Sequence, residues 1–134
     1  MTAVGARARP VVYSDVIRER WRRPRFRGEL AGAAAVAEDV NPLCGDRVRM
    51  SFDIDEVGGG TVRAARFTGD SCAICTASAD VLAEMVQGGT RAQALAVTDA
   101  DLLTTLAADI RPTRLRCVTL PLTVLAQALR GSPR

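Results

Sequence analysis

Val48, Met50, Phe52 and Ile54 alternate with Arg47, Arg49, Ser51, Asp53 and Asp55, a period of two that predicts a half-buried β-strand. Glu56 to Gly60 reads as a turn, with Gly58-Gly59-Gly60 supplying permissive backbone. Thr61 to Thr68 returns as a second strand, and the pair predicts an antiparallel hairpin. Its alternation slips between Ala64 and Phe67, which places an expected bulge near Ala65. After Gly69 the period lengthens. Ile74, Ala77, Val81 and Met85 form a helical stripe from about Ala73 to Gln87, closed by Gly88-Gly89. Thr90 opens a short helix, and Thr98-Asp99-Ala100-Asp101 caps another that carries Leu102, Leu103 and Leu106. Pro112 interrupts the chain. Val118 to Arg130 reads as a last helix, with Leu122, Leu125 and Leu129 on one face and Pro121 in its first turn. Upstream, Ser14 caps a short helix that runs to about Arg23 and stops at Pro24. Leu30 to Val40 shows no clear period and reads as a loop, followed by an Asn41-Pro42 turn. Residues 1–12 read as a flexible tail and 13–134 as one domain. Helices following a strand meander predict an α+β domain with helices packed on one sheet face.

Composition narrows the chemistry. The chain has 134 residues, a length for one domain that needs no disulfide staples. No run of about 20 apolar residues could span a bilayer, and the first ten residues lack the apolar core of a secretory signal. A reducing cytoplasm with free thiols is therefore the expected location. There is no histidine and no lysine, so all 18 basic residues are arginine. That excludes a Ser-His-Asp triad, a Cys-His pair, a Schiff-base or P-loop lysine, and every histidine-based metal site. The net charge is +3, and Arg18, Arg20, Arg22, Arg23, Arg25 and Arg27 are clustered. Such a cluster suits a solvated face or an acidic protein partner. Only Trp21 and Phe26 interleave with it, which leaves few platforms for base stacking and argues against nucleic acid.

The remaining chemistry rests on four cysteines, with 27, 2 and 41 residues between successive ones. Cys44 precedes the first long strand, Cys72 lies between the second strand and the helix, Cys75 follows a helical turn later, and Cys117 lies between Pro112 and the last helix. Each is at or near an element end. On these boundaries Cys72 and Cys117 both sit at helix N-termini, where the dipole is expected to lower a thiol pKa. Thiolates together with Asp46 would suit zinc or an iron–sulfur cluster rather than calcium or magnesium. The competing reading is that each cysteine is simply a small buried hydrophobe.

Three blocks carry a family resemblance. They are Asn41-Pro42-Leu43-Cys44-Gly45-Asp46-Arg47-Val48, the stretch from Ala65 to Ser78 that contains Phe67-Thr68-Gly69-Asp70-Ser71-Cys72-Ala73-Ile74, and Arg114-Leu115-Arg116-Cys117-Val118-Thr119-Leu120. In these blocks, across about residues 13–130, the chain resembles the U-type iron–sulfur assembly proteins: SufU, IscU and the N-terminal domain of NifU. The resemblance implies a three-stranded antiparallel sheet with helices against it, so a third strand is expected within 28–40. It implies a ligand set of Cys44, Asp46, Cys72 and Cys117 that holds zinc or a [2Fe–2S] cluster. It also implies Cys44 or Cys117 as the sulfur acceptor, a cysteine desulfurase as donor, and downstream iron–sulfur acceptor or carrier proteins.

The chain departs from that pattern in informative places. Arg116 stands where IscU-like members carry histidine, which leans toward SufU and suggests Arg116 as a supporting cation. Cys117 follows Cys72 by 45 positions (117 − 72), which leaves no room for the insertion usual in SufU. Ser71 replaces a family glycine. Cys75 stands where serine is usual, and three readings remain open for it: a packed serine-like side chain, an extra ligand, or a redox thiol paired with Cys72. Two other functions also stay open, a thiol-redox enzyme built on Cys72-Ala73-Ile74-Cys75 and a small zinc-stabilised interaction module.

Overall fold

The computed structural model describes residues 14–130; the expected tail over 1–12 lies outside them. Its elements are α1 (Asp15–Arg22), β1 (Ala35–Val40), β2 (Arg47–Asp55), β3 (Thr61–Thr68), α2 (Ala73–Val86), α3 (Arg91–Leu95), α4 (Asp99–Leu106) and α5 (Leu115–Arg130). The strands form one antiparallel sheet in the order β1-β2-β3. This is the α+β architecture expected, with α2 packed across β3 and α5 across β1 and β2. Val48, Met50, Phe52 and Ile54 point into the core beneath those helices.

β1 corrects the loop reading of Leu30 to Val40. Residues 35–40 pair with β2, from Ala35 opposite Phe52 to Val40 opposite Arg47. The alternation is real but its sizes are inverted. Ala35, Ala37 and Asp39 occupy the more buried positions, while Val36 and Val40 are 40% and 45% exposed. Small residues facing the core and valines facing out give no hydrophobic period to read. Glu38 on the outward face lies 3.6 Å from both Arg47 and Arg49 of β2, which satisfies a cross-strand charge pattern.

The bulge is present but lies upstream of the expected position. Asp53 pairs with Ala64 and Ile54 with Val62, which leaves Arg63 as the extra residue. Ala65 itself pairs with Phe52 and is fully buried. Val62 and Ala65 both face the core, so the phase of the strand must slip between them.

The helices follow their caps. Ser14 Oγ accepts the Ile17 N–H at 3.2 Å and donates to the Leu106 carbonyl at 2.5 Å, so one hydroxyl starts α1 and ties it to the end of α4. Thr90 and Thr98 each form a capping box, with Gln93 and Asp101 respectively. α2 is buried on nearly all sides, in keeping with its mostly apolar sequence. Its inward polar groups are satisfied: Ser78 Oγ donates to the Val118 carbonyl at 2.6 Å, and Asp80 accepts from Arg20 at 2.8 Å and from the Phe26 N–H at 2.7 Å.

The last helix starts at Leu115, not Val118, directly after a 3-10 turn over Pro112–Arg114. Two consequences bear on function. Cys117 lies within the first turn of α5 rather than ahead of it. Pro121 lies inside the helix, where it brings no N–H to the carbonyl of Cys117 one turn back.

Gly69 brings the future site together. Its φ is +142°, and a Cβ there would stand 2.0 Å from the Arg47 carbonyl oxygen. Only glycine lets the chain leaving β3 pass this close to the start of β2. The Arg47 N–H then donates to the Asp70 carbonyl at 2.8 Å, which holds residues 69–72 beside Asp46.

Candidate metal centre

Three chain segments converge at one end of the molecule: the β1–β2 loop, the β3–α2 connection and the first turn of α5. The loop folds around Asn41. Its N–H donates to the Asp46 carbonyl at 2.8 Å, its carbonyl accepts from Gly45 at 2.7 Å, and its Oδ1 accepts from Leu43 at 3.1 Å. Gly45 takes φ +79°, closing a turn that a side chain would strain. Cys44 is thereby left exposed on the outside of the turn, next to Leu43 at 83% exposure, while Asp46 is turned inward.

Asp46 is the hub. It is 4% exposed. Its Oδ1 accepts the Cys72 N–H at 2.9 Å, and its Oδ2 accepts from the Cys72 thiol at 3.5 Å. Donor atoms of Cys44, Asp46 and Cys117 all lie within 4.8 Å of one another. The structure therefore brings together all four residues singled out in the sequence. Tetrahedral thiolate sites, with metal–sulfur bonds of ~2.3 Å, space their donors at roughly 3.8 Å, so the Cys44, Asp46 and Cys117 donors lie near such a spacing, and Cys72 joins them through its contact with Asp46. Three sulfurs and one carboxylate oxygen are a donor set for zinc or iron, not for a hard oxygen-seeking cation.

The arginine at the site is Arg114, not Arg116. Arg114 Nε donates to Cys117 Sγ at 3.5 Å and Nη2 to Cys72 Sγ at 3.3 Å, bridging the two sulfurs. These hydrogen bonds, that to Cys117 first, push the Arg114 pKa further up. Arg116 is exposed and lines a shallow cleft with Asp39, Asn41 and Thr123. The reason is helical. Position 114 lies three residues before Cys117 at the helix start and shares its face, whereas 116 is displaced by about 100°. That i−3 spacing is the available signal; the family position just before the last cysteine points to Arg116 instead.

Burial also overrules the expected dipole effect at Cys117. The thiol is 2% exposed, and this desolvation pushes its pKa up to about 12 against the opposing hydrogen bond from Arg114. Cys72 is the N-cap of α2: its Sγ accepts the Cys75 N–H at 3.4 Å, the place where serine or aspartate ordinarily caps a helix. Cys75 is fully buried in the core. Burial pushes its thiol up as well, aided by the negative charge of Asp46 and opposed by a hydrogen bond from Ser71.

Comparison with known proteins bears on this geometry. Residues 12–132 match the model of the NifU-like N terminal domain. The iron-sulfur cluster assembly scaffold protein IscU of Streptococcus pyogenes serotype M1 is 29% identical, over 90% of this chain and 84% of that protein. The zinc-dependent sulfurtransferase SufU of Bacillus subtilis (strain 168) is 35% identical over a shorter stretch, 58% of this chain and 50% of SufU. Among solved structures, a putative scaffold protein for the SUF system from Fervidobacterium islandicum AW-1 superposes with a TM-score of 0.72 at 27% identity, covering 87% of this chain and 96% of that one.

Proposed function

The chain belongs to the NifU-like N-terminal domain family, and from that premise we propose that it serves iron–sulfur cluster assembly, with residues 13–134 acting as one scaffold unit that takes sulfur at a Cys44–Asp46–Cys72–Cys117 site. The observation that carries this reading is the approach of the Cys44, Asp46 and Cys117 donor atoms to within 4.8 Å, with Cys72 held against the same carboxylate. Neither a thiol-redox enzyme nor a zinc interaction module draws support from the relatives, which are named for iron–sulfur assembly and sulfur transfer.

The four residues would hold zinc or a [2Fe–2S] cluster. A bound metal supplies one thing here: it keeps thiols deprotonated at neutral pH. The rest follows from the chain. Sulfur transfer begins when an acceptor thiolate attacks the terminal sulfur of a donor's persulfide; a new S–S bond forms and the donor's thiolate leaves. Of the two candidate acceptors, exposed Cys44 meets a docked donor first, and buried Cys117 receives sulfur only from within. Arg114 holds the Cys72 and Cys117 sulfurs and offsets the negative charge gathered around Asp46. The single carboxylate among thiolates is the weakest donor to a soft metal, which favours release of what is assembled.

The partner is a cysteine desulfurase, with downstream iron–sulfur acceptors or carriers, in the cytoplasm. Among the described residues no helix is long and apolar enough to cross a membrane. Incubation with a cysteine desulfurase and cysteine tests the reading. Mass spectrometry should find one added sulfur on Cys44, lost in Cys44→Ser. Absence of both persulfide and cluster overturns it. Metal analysis of freshly purified protein then separates the two forms: tight equimolar zinc marks a sulfur acceptor, and labile iron with matching sulfide marks a cluster scaffold.

A further inference from the structure

The two edges of the sheet are finished differently. On the outer edge of β3, backbone groups that point away from β2 find partners elsewhere in the chain. Val62 donates to the Gly89 carbonyl at 2.8 Å and accepts from Gly88 at 2.7 Å. Ala65 donates to Gln87 Oε1 at 3.2 Å and accepts from Arg66 Nη1 at 2.7 Å. Phe67 donates to the Phe26 carbonyl at 3.0 Å and accepts from Gly28 at 2.8 Å. β1 lacks this cover. The Asn41 N–H donates to the Asp46 carbonyl, so in the antiparallel register the odd-numbered residues of β1 bond to β2 and the even-numbered ones point their N–H and C=O groups outward. Asp39 Oδ1 takes the Val40 N–H at 2.8 Å. The N–H groups of Val36 and Glu38, and the carbonyls of Val36, Glu38 and Val40, have no partner among the described residues. Beside this edge, shallow clefts run between β1 and α5, lined by Val40, Thr119 and Thr123 and by Val36, Gln127 and Ala128.

We propose that β1 pairs edge to edge with β1 of a second copy of this chain, joining the two sheets into one. The edge is self-complementary about Glu38. An antiparallel pairing that sets Glu38 against Glu38 of the second copy brings Val36 of each copy opposite Val40 of the other. The Val36 N–H then donates to the opposing Val40 carbonyl and the Glu38 N–H to the opposing Glu38 carbonyl, so every free donor on either edge finds an acceptor. The blocked Val40 N–H falls opposite the Val36 carbonyl, where no bond is needed to hold the register. The exposed valines form apolar cross-strand pairs. The two Glu38 carboxylates meet between Arg47 and Arg49 of both copies, each already 3.6 Å from its own Glu38, so arginines outnumber the acids and offset their repulsion. The helices fit as well. α5 packs across β1 and β2 alike, about half a strand spacing inside the edge. With strands ~4.8 Å apart, the two-fold places the α5 axes about 10 Å from each other, the separation of helices in contact. The short side chains of Thr119 and Thr123 line the side that closes. Antiparallel pairing sends the two β1–β2 loops to opposite ends of the joined edge, which leaves both metal centres open.

The test uses the full chain in sedimentation equilibrium over a roughly hundredfold dilution series, with residue-resolved amide exchange by NMR at both ends of it. The mass should rise from one chain toward two with concentration, and the Val36 and Glu38 amides should exchange at least tenfold more slowly at the concentrated end. Val36→Pro removes a donor that the fold of one chain does not use, so it should weaken the dimer at least tenfold. Val36→Lys, which places a charge in the apolar pair, serves equally should the proline variant fold poorly. A single-chain mass throughout the series overturns the proposal and leaves the edge to a strand of another protein. A dimer in which the Val36 and Glu38 amides stay unprotected, or one that persists undiminished in the folded variants, overturns it too. None of these outcomes touches sulfur acceptance, because Val36 and Glu38 lie outside the metal centre.

Discussion

Two aspartates lie buried in this molecule, and their surroundings give them opposite uses. Asp80 is fully buried, Asp46 is 4% exposed. Asp80 sits midway along α2, and every demand it makes is met. Arg20 of α1 donates to it at 2.8 Å, the Phe26 N–H donates at 2.7 Å, and Arg20 extends its other arm to Glu84. It is a staple between α1 and α2. Asp46 lies beyond the start of the same helix and accepts the Cys72 N–H and thiol, but no arginine forms a salt bridge with it among the described residues. The nearby cation, Arg114, spends its hydrogen bonds on sulfur. A buried carboxylate with its charge neutralised holds a fold together; one that forms no salt bridge among the described residues and lies next to thiols has the character of a metal ligand.

Removing each carboxylate should separate these roles. Asp80→Ala leaves Arg20 beside an empty partner site, and breaking a largely buried pair costs roughly 3–5 kcal/mol. We expect a loss of that order in urea unfolding, with zinc affinity kept by the folded fraction. Asp46→Asn should do the reverse: metal-free stability changes by less than about 1 kcal/mol, since a hydrogen bond weakens while an uncompensated charge disappears. Zinc affinity should fall more than tenfold in a chelator competition. Equal stability losses in the two variants would erase the distinction.

Protons sharpen it further. The Cys117 thiol is raised from its ordinary value of 9.0 to about 12 by burial, so the native state binds more protons than the unfolded chain between those limits. The metal-free protein should therefore keep this contribution below about pH 9 and lose stability as the pH rises toward about 12. Zinc binding must expel the same proton, so affinity should rise with pH, and calorimetry in buffers of different ionisation enthalpy should count protons released. Flat affinity between pH 6 and 8 would contradict the buried thiol. The smallest effects concern the two neighbouring arginines. Arg114→Ala should lower zinc affinity or sulfur loading by about tenfold, the scale of lost outer-shell support. Arg116→Ala should leave both within about twofold, as befits an exposed side chain with little stake in the site.

The fold was legible where size and period agree. β2 alternates large apolar with charged residues, and the caps at Ser14, Thr90 and Thr98 announce their helices before any packing is known. β1 was hidden because alanines face the core and valines face out, so its identity comes from pairing with β2 rather than from its own pattern. The slip in β3 was visible, but only the inward positions of both Val62 and Ala65 place it at Arg63. At the site, the motif blocks around Cys44, Cys72 and Cys117 named the residues that the fold gathers. They did not reveal that Arg114, one helical turn before Cys117, is the arginine that reaches the sulfurs.

The sequence alone determined the chemistry available. With no histidine and no lysine, soft ligation falls to four thiols, and the glycines at 45 and 69 allow the close turns that present them. Those are properties of residue type and local backbone, which act without neighbours. The tertiary structure decided which groups are wet and which are paired. It left Cys44 in solvent, desolvated Cys117 until burial outweighed the helix dipole, turned Cys75 inward behind Cys72, and gave Arg20 to Asp80 while leaving Asp46 without a salt bridge among the described residues. Desolvation and charge pairing depend on segments distant in the chain, so no local pattern encodes them.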